Sequence, residues 1–466
     1  MSKSPPTKQV LTEKFAQKQG AASCTPSKTP LNGTIIIPGD KSISHRALML
    51  GAIAIGETRI SGLLEGDDVL ATAKAMRAFG AEVEKQTDGT WSVRGIGLGN
   101  FISPEADVDF ENAGTGCRLV MGLMTASPCR ARFIGDASLS KRPMQRVLTP
   151  LKQMGLAVEP IEQDHLPLTL TAPQRPIPIS YKLPVASAQV KSAILLAGLG
   201  APGETHIIEP HPTRDHTERM LTLFGADIRT QGLEDGHHVW VKGEKQLTAQ
   251  DIIVPGDPSS AAFPMIAALM VQGSEIQLNN VMMNQHRDGL FRALAQMGAH
   301  ITSQNLRQAA GEDVVDLKIQ AGKLKAIELQ ADIAPSMIDE YPALAMLAAC
   351  AEGTSIFHGL GELRVKESDR LSAIIEGLKA NGVEAYAQGD SLIIHGLNIA
   401  ENGQIQGGGI VKTHHDHRIA MSFLLLGLVT QTPVVVDNIA MIATSFPNFF
   451  ELMADLGVTF QSAIQP

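Results

Sequence analysis

Small and apolar residues run almost unbroken through six stretches, near Arg46 to Ile55, Arg118 to Ala126, Val190 to Leu199, Ala262 to Val271, Pro342 to Cys350 and Ile419 to Leu428. A segment that is apolar nearly all round predicts a helix enclosed by its own domain. Between these stretches lie six helical patterns of the amphipathic kind, each stopping at a glycine and followed by a short β-prone run. The stops are Phe79-Gly80-Ala81, Met154-Gly155-Leu156, Phe224-Gly225-Ala226, Met297-Gly298-Ala299, Asn381-Gly382-Val383 and Leu456-Gly457-Val458. Their glycines stand 75, 70, 73, 84 and 75 residues apart. Glycine just past a helix end takes the left-handed conformation that other residues resist.

The regular spacing predicts one unit repeated six times, each with a buried helix, an amphipathic helix and about four strands. A coarser repeat lies above it. Ile36-Ile37-Pro38-Gly39-Asp40-Lys41-Ser42 aligns with Ile253-Val254-Pro255-Gly256-Asp257-Pro258-Ser259, and each leads into an apolar helix. Three units before residue 255 and three after it predict two similar domains of an α+β class built from α/β repeats. Their first helices are expected to point their N-termini at a shared cleft, the default place for a ligand.

Length agrees with this division, since 466 residues exceed one ordinary core. Hydrophobic residues at 44% and charged ones at 19% fit a soluble globular protein, and the longest apolar runs are too short or too interrupted to span a bilayer. Thirty-nine basic against 48 acidic residues give a formal charge of −9, which argues against a nucleic-acid partner but not against a small anion. Cys24, Cys117, Cys129 and Cys350 lack close metal-ligand spacing, and so few cysteines suggest a reducing compartment, the cytoplasm. Residues 1–30 carry scattered lysines among Ser, Thr, Gln and Pro with no apolar core, and read as a loose N-terminal extension.

Charged and small polar residues gather where the repeated elements begin. Lys41, Ser42 and Arg46 follow Pro38-Gly39 at a helix start, where unpartnered N–H groups, a hydroxyl and two cations suit an anion such as phosphate; Ser42 is also a candidate cap. A capped helix with two solvated cations is the bland alternative. Asn112-Ala113-Gly114-Thr115-Gly116 opens the second buried helix without bulk, either as a second anion-accepting terminus or as a turn capped by Thr115. Lys141-Arg142-Pro143 offers a guanidinium fork, and Ser187-Ala188-Gln189 offers hydroxyl and amide groups suited to a polyol or, more simply, an N-cap.

In the second half, Asp339-Glu340 puts a carboxylate pair just before a buried helix, as a negative cap or as a general base. Arg364-Val365-Lys366-Glu367-Ser368-Asp369-Arg370 enters an amphipathic helix, where a solvated charged face is the ordinary reading. Thr413-His414-His415-Asp416-His417-Arg418 opens the sixth buried helix. Adjacent side chains diverge around a backbone, so an anion-binding Arg418 fits better than a metal site. Together Lys41, Arg46, Arg142, Lys366, Arg370 and Arg418 concentrate positive charge at unit starts, as two phosphate-sized anions would require.

These motifs closely resemble the 5-enolpyruvylshikimate-3-phosphate synthases, in one order from about residue 33 to 460, and the wording around Pro335 to Pro342 and Met441 to Phe450 looks like the bacterial class II form. The resemblance implies two domains, each of three βαβαββ-type units around a pseudo-threefold axis, with the active site in the cleft between them. It implies domains of residues 39–254 and of 31–38 plus 255–466, the strand near Leu31 to Pro38 crossing to the C-terminal one. Transfer of enolpyruvyl from phosphoenolpyruvate to shikimate 3-phosphate is the implied activity, by a monomer without metal or organic cofactor and with glyphosate as inhibitor.

By the same resemblance, shikimate 3-phosphate is held by Lys41, Ser42 and Arg46, with Ser187, Ala188, Gln189, Arg214, Asp339 and Lys366. Phosphoenolpyruvate would lie against Lys41, Gly114, Arg142, Gln189, Arg370 and Arg418, with Asp339 as base, Glu367 as acid and Lys41 stabilising moving charge. Two positions bear on inhibitors and substrate. Thr444-Ser445 stands where many members have a lysine before Phe-Pro, and Gly114 stands where glyphosate-insensitive class II members have alanine, so sensitivity is expected here. Competing readings are an enolpyruvyl transferase acting on a UDP-sugar, which needs a loop cysteine that Asp136 to Pro143 lacks, and a silent binding protein, against which Asp339 and Glu367 both argue.

Overall fold

In the computed structural model, residues 20–463 are described. Among them, twelve helices of seven residues or more alternate between the two kinds expected. The enclosed ones are α1 (Lys41–Ile53), α3 (Gly114–Thr125), α5 (Ala188–Gly198), α7 (Pro258–Met270), α9 (Tyr341–Cys350) and α11 (His417–Leu426). The half-exposed ones are α2 (Asp67–Ala78), α4 (Gln145–Gln153), α6 (His216–Leu223), α8 (Gly289–Met297), α10 (Arg370–Ala380) and α12 (Phe449–Asp455). Every residue of α7 and of α9 is buried, as their unrelieved apolar sequences require. All six glycines that end the second set have positive φ: Gly80 and Gly155 at 104°, Gly225 at 86°, Gly298 at 87°, Gly382 at 83° and Gly457 at 100°. No side chain with a Cβ adopts those angles without strain, which is why the repeat is audible in glycine.

The chain divides into two compact units. The first takes Gly39–Pro255 with Gln308–Glu312; the second takes the described residues up to Pro38, Gly256–Arg307 and those from Asp313 on. Among the described residues each contains three larger sheets, five of the six sharing one plan, and the second unit adds a two-stranded pair, Ile405–Gly407 with Thr430–Thr432. A strand follows the enclosed helix, a hairpin follows the half-exposed one, these three join antiparallel, and a short strand adds parallel at the edge. In the first sheet of the second unit that edge is Asn32–Ile36, parallel to Glu275–Met282.

The sixth sheet departs from the plan and corrects one expectation. Its order is Ile410–Val411, Val435–Val436, Ala22–Cys24 and Phe460–Ser462, so a strand from near the N-terminus stands where the hairpin's other arm would be. Ala22 and Cys24 are wholly buried. The expected loose extension over residues 1–30 therefore does not hold at 22–24, because the last repeat lacks a strand of its own and an early one fills the gap. Residues 1–19 of that expectation lie outside the described residues.

The aligned starts of the two halves fold alike for a steric reason. A Cβ on Gly39 would lie 2.1 Å from Gly62 O, and one on Gly256 would lie 2.4 Å from Asn280 O. Backbone passes so close there that only glycine fits, and each next residue, Asp40 or Asp257, caps the helix that follows.

Candidate active site

In the first unit, Asp40 rather than Ser42 caps α1, accepting from Ile43 N at 2.8 Å; Ser42 sits in the first turn beside Lys41. Lys41 Nζ is 2.9 Å from Asp68 Oδ2, a partner on the first turn of α2 that sequence reasoning missed because acids there look like ordinary dipole partners. Arg46 is enclosed. Its Nη1 donates to Ser42 O at 3.0 Å, its Nε to Thr217 Oγ1 at 2.7 Å and its Nη2 to Ser192 Oγ at 2.9 Å. Three fixed acceptors leave the fork one orientation. Burial lowers the Arg46 pKa to about 10, with Glu218 and Asp40 working the other way, so it stays cationic at neutral pH. Thr217 and Ser192 were also missed, since hydroxyls in apolar helices carry no signal of their own.

Around the start of α3, no side chain caps the helix, so the expected Thr115 cap is absent and Ala113 holds the cap position. Thr115 instead accepts from Gln189 Nε2 at 3.0 Å, while Gln189 Oε1 accepts from Arg118 Nη1 at 2.9 Å. Arg142 Nη2 donates to Asn112 Oδ1 at 2.7 Å. Gly114 lies beneath this guanidinium: a Cβ there would stand 3.1 Å from Arg142 Nη1. Ser187 caps α5 through Val190 N, at 3.4 Å, with Ala188 and Gln189 in the first turn. Arg214 lies near enough to Arg46 to repel its charge. Gly114, Arg142, Gln189 and Arg118 are thus one local group, and Lys41, Ser42 and Arg46 another.

The first unit also holds the one cluster of metal-capable side chains found among the described residues, Asp215, His216 and Glu312. Arg219 Nε lies 2.7 Å from Asp215 Oδ2 and 3.5 Å from Glu312 Oε2, and His216 Nδ1 is 2.8 Å from Glu312 Oε1, so both carboxylates of the group already have a cationic partner in Arg219.

In the second unit the charged residues converge on Arg370. Its Nε donates to Asp416 Oδ2 at 2.7 Å, its Nη1 to Asp339 Oδ1 at 3.1 Å and its Nη2 to Glu367 Oε2 at 2.5 Å. Burial opposes the Arg370 charge, but Asp416, Glu367 and Asp339 outweigh it and raise its pKa above the ordinary guanidinium value. Lys366 Nζ is 3.6 Å from the same Asp339 oxygen, and Arg418 Nη1 donates to Asp339 O at 3.2 Å. Asp416 also caps α11 through Arg418 N and accepts from Ser368 Oγ at 3.1 Å. The expected surplus of cations is corrected here: Lys366, Arg370 and Arg418 are interleaved with three carboxylates. Arg364, by contrast, reaches the exposed Asp369 and Asp390 and the carbonyl of Gly389.

A family profile described as EPSP synthase (3-phosphoshikimate 1-carboxyvinyltransferase) matches residues 26–453. A 3-phosphoshikimate 1-carboxyvinyltransferase of Parvibaculum lavamentivorans is 56% identical over 439 residues, spanning 93% of this chain and 96% of that protein. One from Brucella abortus is 55% identical over 428 residues, 92% of this chain and 94% of that one. An EPSP synthase structure from Acinetobacter baumannii superposes with a TM-score of 0.86 at 43% identity, over 95% of this chain and 99% of that one.

Proposed function

The chain belongs to the EPSP synthase family, and on that premise we propose how its residues divide the family's reaction. The chemistry is transfer of the enolpyruvyl group of phosphoenolpyruvate to the 5-hydroxyl of shikimate 3-phosphate, with release of phosphate, in aromatic amino acid (chorismate) biosynthesis. One observation carries the assignment of roles: Asp339 and Glu367 are both hydrogen-bonded to Arg370, so two carboxylates of opposite duty share one fixed cation.

Asp339 takes the proton of the 5-hydroxyl as that oxygen attacks C2 of phosphoenolpyruvate, and Glu367 delivers a proton to the methylene carbon. The product is a tetrahedral ketal phosphate. Its C2–O bond to phosphate then breaks, and Glu367 takes a proton back from the methyl group to restore the double bond. For Glu367 to carry a proton it must leave Arg370, whose charge favours the carboxylate. A phosphoenolpyruvate carboxylate arriving at Arg370 and Arg418 competes for that cation and frees it. Lys41, in the first turn of α1, stabilises charge as phosphate departs.

Shikimate 3-phosphate is assigned to Lys41, Ser42, Arg46, Ser187, Ala188, Gln189 and Arg214, with Asp339 and Lys366 on its hydroxyls and phosphate. Support comes from the pre-oriented Arg46 fork, the open first turn of α5 and the closeness of Arg214 to Arg46. Phosphoenolpyruvate is assigned to Lys41, Gly114, Arg142, Gln189, Arg370 and Arg418. No helix of the described residues is long and apolar enough to cross a membrane. The reading includes a monomer working in the cytoplasm and inhibited by glyphosate.

Phosphate release from the purified protein tests this directly. With shikimate 3-phosphate and phosphoenolpyruvate together, phosphate is expected; with UDP-N-acetylglucosamine in place of the shikimate, none. Asp339→Asn and Glu367→Gln are each expected to lower kcat by roughly 10²–10⁴-fold, the ordinary range for a positioned acid or base. Near wild-type turnover in either variant would remove that residue from its role.

A further inference from the structure

The carboxylate pair Asp339-Glu340 splits. Asp339 turns to the cations, whereas Glu340, 4% exposed, turns into the second unit and accepts a hydrogen bond from Ser259 Oγ. Ser259 lies in the first turn of α7, at the position that aligns with Ser42 in the repeated Pro-Gly-Asp segment. Arg287, buried below, donates from Nη2 to Ser259 Oγ at 2.7 Å and to Asp257 Oδ1 at 3.0 Å. The two copies of one helix start are therefore used differently. In the first copy the serine is open to a ligand; in the second it is occupied by a carboxylate of the same chain.

We propose that Glu340 is a positioning residue for Asp339, its buried carboxylate filling the second copy of an anion-accepting helix start and so fixing the turn that aims the base. This rests on the assignment of Asp339 as base made above. Asp339 is pinned on both sides: Arg418 holds its carbonyl at 3.2 Å, and Glu340, next along the chain, is anchored through Ser259 and in turn begins α9 through its own carbonyl to Leu344 N at 3.0 Å. Without the Glu340 anchor the peptide between them can turn, and the Asp339 carboxylate moves with it. A misplacement of about 1 Å costs on the order of 10²-fold in rate. A negative cap alone would explain neither the inward direction of Glu340 nor its junction with Arg287 through Ser259.

The test compares Glu340→Ala, Glu340→Gln and Ser259→Ala, with Asp339→Asn as reference, measuring kcat, both KM values and the thermal midpoint. Glu340→Ala is expected to lose roughly 10–10²-fold in kcat with the phosphoenolpyruvate KM within about threefold, since the contact to substrate is untouched. Glu340→Gln keeps an oxygen for Ser259 and is expected to restore kcat to within about fivefold of wild type. Ser259→Ala, which removes a single hydroxyl, is expected to fall between, and it decides the matter if Glu340→Ala does not fold. Lower thermal midpoints with wild-type kcat in Ser259→Ala and Glu340→Ala would overturn the proposal and leave a purely structural carboxylate. Full activity in Asp339→Asn would instead bring down the base assignment, and this inference with it.

Discussion

Asp416 accepts the Arg370 Nε hydrogen bond at 2.7 Å, with the two side chains 0% and 1% exposed. The same carboxylate caps α11 through Arg418 N and takes the Ser368 hydroxyl, so one acid fixes a guanidinium, a helix start and the residue after Glu367. Removing one partner of a buried ion pair costs about 3–5 kcal/mol where the other charge is left without compensation, whereas Arg370 keeps Asp339 and Glu367 as partners. Asp416→Ala is therefore expected to lose less than that, and Asp416→Asn, which keeps an acceptor, distinctly less again. Urea denaturation ranks the three proteins; equal midpoints for the Asn and Ala variants would contradict a role through the acceptor oxygens of Asp416.

Gly114 is the place where one methyl group meets a proposed substrate ligand. An added Cβ stands 3.1 Å from Arg142 Nη1, closer than ordinary contact, so the guanidinium must give way or the ligand above it must. Overpacking costs typically 1–3 kcal/mol. Gly114→Ala is expected to raise the glyphosate concentration for half-inhibition by about 5–150-fold, the equivalent of that range, with a smaller rise in the phosphoenolpyruvate KM. Inhibition curves at fixed substrate measure it, and an unchanged curve refutes the steric account.

Arg46 owes its orientation to two hydroxyl groups and the Ser42 carbonyl. Thr217→Val removes the acceptor at 2.7 Å and leaves a buried N–H of a charged group unsatisfied, at a cost of about 1.5–3 kcal/mol. The shikimate 3-phosphate KM is expected to rise about tenfold or more with the phosphoenolpyruvate KM little changed, and Thr217→Ser, which retains the oxygen, to behave nearly as wild type. Steady-state kinetics with each substrate varied in turn separates the two.

His45 supplies a pH dependence of stability. It is enclosed, its Nδ1 lies 2.8 Å from Thr72 Oγ1, and burial first, then Lys41 and Arg46, hold its pKa well below that of ordinary imidazole. In the unfolded chain His45 binds a proton below about pH 6.5, while in the folded protein it stays neutral. The unfolded state then holds more protons, so stability falls as pH drops below about 6.5, by at most about 1.4 kcal/mol per pH unit, until the folded pKa is reached. His45→Gln is expected to shrink the difference in thermal midpoint between about pH 7.5 and about pH 5.5. The same difference in both proteins would assign the acid sensitivity elsewhere.

The helices and the repeat were legible because their signals are local. Unrelieved apolar runs have no stable place but an interior, and Gly80 through Gly457 mark six φ angles that glycine alone tolerates. Gly39 and Gly256 were legible through the aligned Pro-Gly-Asp segments, although what demands glycine there is the close backbone of Gly62 and Asn280. The strand Ala22–Cys24 was not, since three small residues have no periodicity and their partners, Val436 and Ser462, stand at the far end of the chain. In the candidate site the charged motifs stood out, but their partners did not. Asp68, Ser192 and Thr217 resemble routine helix residues until a lysine or an arginine is found against them. Asp416 was read in a histidine-rich run, and only the fold shows its attachment to Arg370. The adjacency of Asp339 and Glu340 likewise concealed that one faces the cations and the other the interior.

The pairing of Ala22 with Ser462 joins residues separated by 440 positions (462 − 22). During synthesis the first unit, Gly39–Pro255 apart from the Gln308–Glu312 tip, is complete long before the ribosome finishes. The last sheet of the second unit must wait for Phe460–Ser462 to emerge, with Ala22–Cys24, translated before the first unit, held over until then. A nascent chain stalled near residue 450 would thus carry a finished first half and an unpaired early strand, an exposed edge of the kind that chaperones cover.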